Sequence, residues 1–179
     1  FGLRQLLKDI LNDVISAFNQ LPQFCELIRP MLRPNPMFRL ARIVTYPVIA
    51  FAVFNLTFSI WHIPALYNVS VTNHGMHVGE HLLFIATAVL MWWPIASRMP
   101  ELPRLSYPFQ MAYLFLLSIA QLIVFAPITF AREPLYQFYA DAHRIWGISP
   151  VVDQQIGAII MKIGGGTLFL TLLVIIFFR

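Results

Sequence analysis

The sequence predicts an all-α protein, a polytopic transmembrane helix bundle of about four spans preceded by an amphipathic helix. Three observations carry that prediction. Four long apolar stretches, separated by charged or proline-rich connections, run at about residues 44–60, 76–95, 108–127 and 155–178. About 20 helical residues cross the roughly 30 Å of hydrocarbon in a bilayer, and the four stretches reach or approach that length. The composition agrees: 59% hydrophobic residues, 11% charged, and a mean hydropathy of +0.71. The basic residues also alternate across the spans. Arg29, Arg33, Arg39 and Arg42 precede the first, Arg98 and Arg104 lie between the second and third, and Arg179 closes the fourth. The loop from Trp61 to Glu80 has no Lys or Arg, and in the loop from Ile128 to Asp153 Arg132 and Arg144 face Glu133, Asp141 and Asp153. This is the positive-inside pattern. It places both chain ends in the cytoplasm and the His-rich loops outside, the topology expected of a multi-pass membrane protein. The net charge of +4 therefore belongs to topology, and no face for nucleic acid is formed.

Two segments follow. Residues 1–43 read as a cytoplasmic amphipathic helix and an Arg/Pro-rich connector, and residues 44–179 as the transmembrane bundle. Within residues 2–18, Leu3, Leu6, Leu7, Ile10, Leu11, Val14 and Phe18 form one stripe opposite Arg4, Lys8, Asp9 and Asp13. Such a helix lies in the membrane interface or packs on neighbouring spans. Pro30, Pro34 and Pro36 then break helix. Cys25 is a single cysteine, which excludes an internal disulfide and a multi-Cys metal motif. The chain starts at Phe1 without a signal-peptide pattern, and is expected to be an N-terminally truncated member of a larger bundle.

The first span ends at Trp61-His62-Ile63-Pro64-Ala65-Leu66-Tyr67, with aromatic residues at the headgroup level. A short polar loop over residues 68–73 leads into His74-Gly75-Met76-His77-Val78-Gly79-Glu80-His81, and the second span closes at Trp92-Trp93-Pro94. The third opens at Pro108 and carries Gln110 and Gln121. Asp153-Gln154-Gln155 introduces the last, which contains Met161, Lys162 and the run Gly164–Gly166. Small residues there allow close helix approach, and the glutamines, with Gln155, supply interhelical hydrogen bonds.

All five histidines, His62, His74, His77, His81 and His143, fall on the outer side. His77 and His81, at i and i+4, can aim ring nitrogens at one ion. Imidazole suits Cu, Zn, Fe and Ni, while the thioethers of Met76 or Met161 favour Cu(I). Glu80 would ligate directly or accept from a ligating imidazole. The alternative is a set of solvated histidines near a membrane boundary. Lys162 lies about eight residues inside the fourth span, where a charge is expensive. It is expected to face the interior and pair with Glu80, Asp153 or a glutamine. No nucleophile elbow, phosphate loop or paired-carboxylate signature occurs, so an enzyme is not expected.

At Trp61-His62-x-Pro64-x-Leu66-Tyr67, then His77-x-x-Glu80-His81, then Trp92-Trp93-Pro94, the chain resembles the CtaG family of cytochrome c oxidase assembly factors, the multi-span caa3 type known from Bacillus. The stretch Asp153-Gln154-Gln155-x-Gly157-x-x-Met161 is similar to the segment that opens that family's last span. The resemblance implies a helical membrane protein needed to form active haem–copper oxidase, with copper delivery as the usual proposal. It implies as candidates His62, His77, His81 and Met161 for the metal, with Glu80 and Asp153 behind them. The early His-x-x-x-His element of typical members does not precede the first span here, and Lys162 follows Met161 where an apolar or aromatic residue is the rule. The expected cofactor is copper, and the expected partners are cytochrome c oxidase subunits and the lipid bilayer. Rival expectations are a haem-binding electron carrier, a metal-free scaffold for oxidase assembly, and a transporter using Lys162.

Overall fold

The computed structural model describes Gln23 and residues 35–97, 99, 102–143 and 147–178. The amphipathic helix expected over residues 2–18, Cys25, Arg29, Arg33, Arg98, Arg144 and Arg179 lie outside them. The described residues are helical apart from short links, with no strand among them, so the all-α fold stands.

The helices are α1 (Asn35–Val44), α2 (Pro47–Trp61), α3 (Pro64–Thr72), α4 (His74–Ala96), α5 (Tyr107–Ala120), α6 (Leu122–Phe130), α7 (Gln137–Asp141) and α8 (Pro150–Phe177). Proline writes most of their beginnings. Pro47, Pro64, Pro108 and Pro150 stand in the first turns of α2, α3, α5 and α8, where a missing N–H costs nothing. Pro36 does the same for α1, so the expected irregular connector is helical from Asn35 onwards.

Among the described residues, three helices are long and apolar enough to cross a membrane: His74–Ala96, Tyr107–Phe130 (α5 with α6) and Pro150–Phe177. A fourth span exists only if Pro36–Val44 and Pro47–Trp61 count together, and that pair is bent by 69°. The bend has a local cause. Proline disfavours a helical conformation in the residue before it, so Tyr46 leaves the helix ahead of Pro47. Thr45 turns back on α1, its N–H donating to the Ala41 carbonyl at 2.9 Å and its hydroxyl to the same oxygen at 2.6 Å. The 15 residues of α2 alone rise only about 22 Å, short of the hydrocarbon thickness.

The chain divides into two compact units, residues 1–50 with 90–105 and residues 51–89 with 106–179. In the first, Trp93, Met99 and Leu102 form a small core, with Phe38 and Ala41 against it. In the second, α5 and α6 pack on α8, and α3 packs on α7. Val124, Ile128, Tyr136 and Ala158 are buried together, with Phe58 and Tyr67 packed against them. The small residue that lets α8 approach α6 is thus Ala158. The glycines expected to do so mostly face open space; only Gly165 lies under a neighbour, where a Cβ would meet the Gln121 amide oxygen at 3.5 Å.

The start of α8 is tied to the loop after α6. Gln154 accepts from the Leu135 N–H at 2.8 Å and donates to the Ile128 carbonyl at 3.2 Å, while Gln155 donates to the Ala131 carbonyl at 3.0 Å. Asp153 is exposed in the first turn, where the helix dipole favours an acid. Lys162 reaches α5, not a carboxylate: its ammonium donates to the Ser118 carbonyl at 2.7 Å and lies 3.5 Å from the Ser118 hydroxyl. Ser118 stands in the last turn of α5, where carbonyls lack their helical partners because the ladder breaks at Gln121. The expected pairing with Glu80 or Asp153 is not formed.

Replacing Gln154 by Ala removes both the donor for Ile128 and the acceptor for Leu135. A loss of about 1 kcal/mol is expected, read as a lower unfolding midpoint and faster proteolysis between residues 131 and 136.

Candidate functional site

The link between α3 and α4 is a single residue. Asn73 ends α3 and caps α4, its side-chain oxygen accepting the Met76 N–H at 3.1 Å and its carbonyl the His77 N–H at 3.0 Å. This fixes the phase of α4 from its first turn. His77, Glu80 and His81 then fall within two turns, at spacings that place neighbours on one face.

Two imidazoles meet on that face. The Nε2 atoms of His77 and His81 are 3.2 Å apart, and the ring centroids 4.5 Å apart with the planes almost perpendicular. One Nε2–H donates to the lone pair of the other. On the opposite side of the His77 ring, Nδ1 faces a Glu80 carboxylate oxygen at 4.0 Å. The consistent assignment puts a proton on His77 Nδ1, turned towards the carboxylate, and leaves its Nε2 as acceptor for His81. Both histidines are exposed while Glu80 is buried.

A buried carboxylate requires a donor. Ser70, on α3, supplies it: its hydroxyl donates to the same Glu80 oxygen that faces His77, and the serine is fully buried. Ser70 was not among the residues singled out in the sequence, because residues 68–73 read there as a polar loop. The structure makes residues 64–72 a helix, opened by Pro64 and closed at Asn73. Those two residues were the available signal.

His62 occupies a different environment. Its Nδ1 donates to the Phe58 carbonyl at 2.7 Å, which leaves Nε2 with the free lone pair. The ring lies among Phe58, Phe84 and Phe125, at centroid distances of 4.3, 6.4 and 6.4 Å. Burial there holds the imidazole below its ordinary pKa, against the upward pull of the Phe58 carbonyl and the Glu80 charge. Among the described residues no three His, Cys, Asp or Glu side chains gather as a set able to hold a metal ion. The structure brings His77 and His81 together with Glu80 behind His77, and neither Glu80 nor His62 completes a three-ligand set. Met161 is half exposed beside Lys162 on α8, Asp153 is exposed one turn into the same helix, and His74 and His143 are exposed.

Three tyrosines brace α3 from the other side. The Tyr67 and Tyr139 hydroxyls are 3.0 Å apart, Tyr136 donates to the His62 carbonyl at 3.1 Å, and the Tyr67 and Tyr136 rings meet at 4.3 Å with their planes tilted by 45°. Burial pushes the Tyr136 phenol up to about 12 and raises Tyr67 as well, so both remain protonated donors. A shallow cleft of about 470 Å³ between α3 and α7 is lined by Asn68, Thr72, Gln137, Phe138, Asp141 and Ala142. None of these is a histidine.

A family model for cytochrome c oxidase caa3 assembly factors, Caa3_CtaG, matches residues 14–179. The chain belongs to this family. As a Caa3_CtaG protein it is an oxidase assembly factor by family, and its apolar helices fit a lipid bilayer. No curated protein and no solved structure matches it.

The depressed pKa of His62 has a definite sign. The unfolded imidazole takes a proton as pH falls through about 6.5, whereas the folded one resists until lower pH, so stability is lost over that interval. His62→Gln should remove this loss. The check is thermal unfolding in detergent at pH 7.5 and pH 5.5, where the wild type should lose more of its melting temperature than the variant.

Proposed function

We propose that this Caa3_CtaG protein holds copper at the outer membrane face through His77 and His81 and passes it to a maturing haem–copper oxidase. The observation that carries the reading is the 3.2 Å approach of the two Nε2 atoms. Metal–nitrogen bonds of about 2.0 Å to both would subtend roughly 100° at the cation, the angle of a bent or tetrahedral site. The hydrogen bond between the rings thus occupies the space a cation would take, and copper would replace its proton. Imidazole is a suitable donor for copper in either common oxidation state. With only two protein ligands the remaining positions stay open, as transfer to an acceptor requires.

The outer location is supported by the Arg distribution: Arg98 and Arg104 follow α4 at one end, the side the positive-inside rule assigns to the cytoplasm of a bacterial cell, and His77 and His81 stand at its other end. Glu80 would favour the approach of a cation and orient His77. His62, Met161 and Asp153 serve here as candidates for later positions along a transfer route. Oxidase subunits are the proposed acceptors.

Copper titration of the purified protein beside His77→Ala/His81→Ala tests the reading. The variant keeps neither proposed ligand and should lose the bound copper equivalent of the wild type. Equal stoichiometry and affinity in the two would end it, and retained co-purification with the oxidase would then favour a metal-free scaffold.

A further inference from the structure

We infer that Ser70 is a positioning residue of the copper site, acting through Glu80 on His77. The inference rests on the copper reading above and adds a residue on another helix to it. A continuous chain of polar contacts runs from the interior of the second unit to the exposed imidazole pair. Ser70 on α3 donates to Glu80, the same Glu80 oxygen faces His77 Nδ1 at 4.0 Å, and His77 Nε2 lies 3.2 Å from His81 Nε2.

Each link has a physical reason. Glu80 is the one buried carboxylate among the described residues, and burial without a hydrogen bond would be costly. Its donor has no freedom to move, since Ser70 is fully buried on a helix held at both ends. Pro64 opens that helix, Asn73 closes it onto α4, and Asn68 accepts the Phe138 N–H at 3.3 Å along its length. The serine therefore fixes where the carboxylate charge stands. A carboxylate behind a ligating imidazole sets which ring nitrogen is protonated and how the ring turns, and loss of such a group costs about 10–100-fold in metal affinity. The 4.0 Å separation is longer than a hydrogen bond, and copper on Nε2 would draw it in by making Nδ1–H more acidic.

The alternative is that Ser70 merely satisfies a buried acid and stabilises the α3–α4 corner. The two roles separate in a double-mutant cycle on the full chain in lipid nanodiscs, titrated with copper. Ser70→Ala and Glu80→Gln should each lower copper affinity about tenfold, with the folded state checked by circular dichroism. The double variant should lose no more than either single one, because both act on one imidazole. Ser70→Thr, which keeps the hydroxyl, should recover much of the loss. The Cu(II) electron paramagnetic resonance spectrum should change its hyperfine splitting in Ser70→Ala and return in Ser70→Thr. Unchanged affinity and spectrum in Ser70→Ala, or fully additive losses in the double variant, would overturn the inference. Failure of the parent reading looks different: His77→Ala/His81→Ala would then bind copper as the wild type does.

Discussion

Inside hydrocarbon every backbone N–H and C=O must find its partner within the protein, and this constraint shapes the whole chain. Helices meet it along their lengths. Where they stop, particular side chains take over. Gln154 and Gln155 serve the loop after α6, Lys162 serves the last turn of α5, and Thr45 returns to α1 at the bend before α2. The prolines at the helix starts remove a donor and fix a boundary, whereas Pro94 and Pro127 stand inside α4 and α6. Polar residues in the spans are few, and several of them, Asn55, Thr87, Thr167 and Thr171, bond back to the carbonyl four residues earlier on their own helix.

The histidine pair belongs to a different part of the same logic. It stands at the start of α4, where Asn73 sets the helical phase, and its neighbours divide by exposure. The imidazoles face outward, while the acid behind them is shielded and hydrogen-bonded. A cation approaching such a site meets nitrogen first, with the carboxylate held in reserve. His62, half-buried among phenyl rings with its tautomer fixed by the Phe58 carbonyl, is related chemistry in a drier setting.

The all-α class was legible in the sequence, and three of the expected apolar stretches fall on helices long and apolar enough to cross a membrane. Two things were not. The first span fails to run straight, since the apolar count over residues 44–60 ignores the effect of Pro47 on Tyr46. The partner of Lys162 was also misjudged, because opposite charge is the usual guess and a carbonyl freed at Gln121 leaves no mark in composition. At the site, the i, i+4 spacing of His77 and His81 correctly brought two rings together. A third imidazole from another helix could not be placed by spacing alone, and Ser70 was hidden in a segment that looked too polar to be helical.

The contact between Lys162 and Ser118 bears on how the last helix sits in lipid. Lys162 stands about 18 Å from one end of α8 and about 22 Å from the other, near the middle of the helix. An isolated helix with a lysine at its centre enters the bilayer at a penalty of about 2.5–3.5 kcal/mol. Docking to α5 offsets part of that by giving the ammonium an oxygen. The last helix is therefore held in lipid at lower cost beside α5 than alone, which couples the two helices through one side chain.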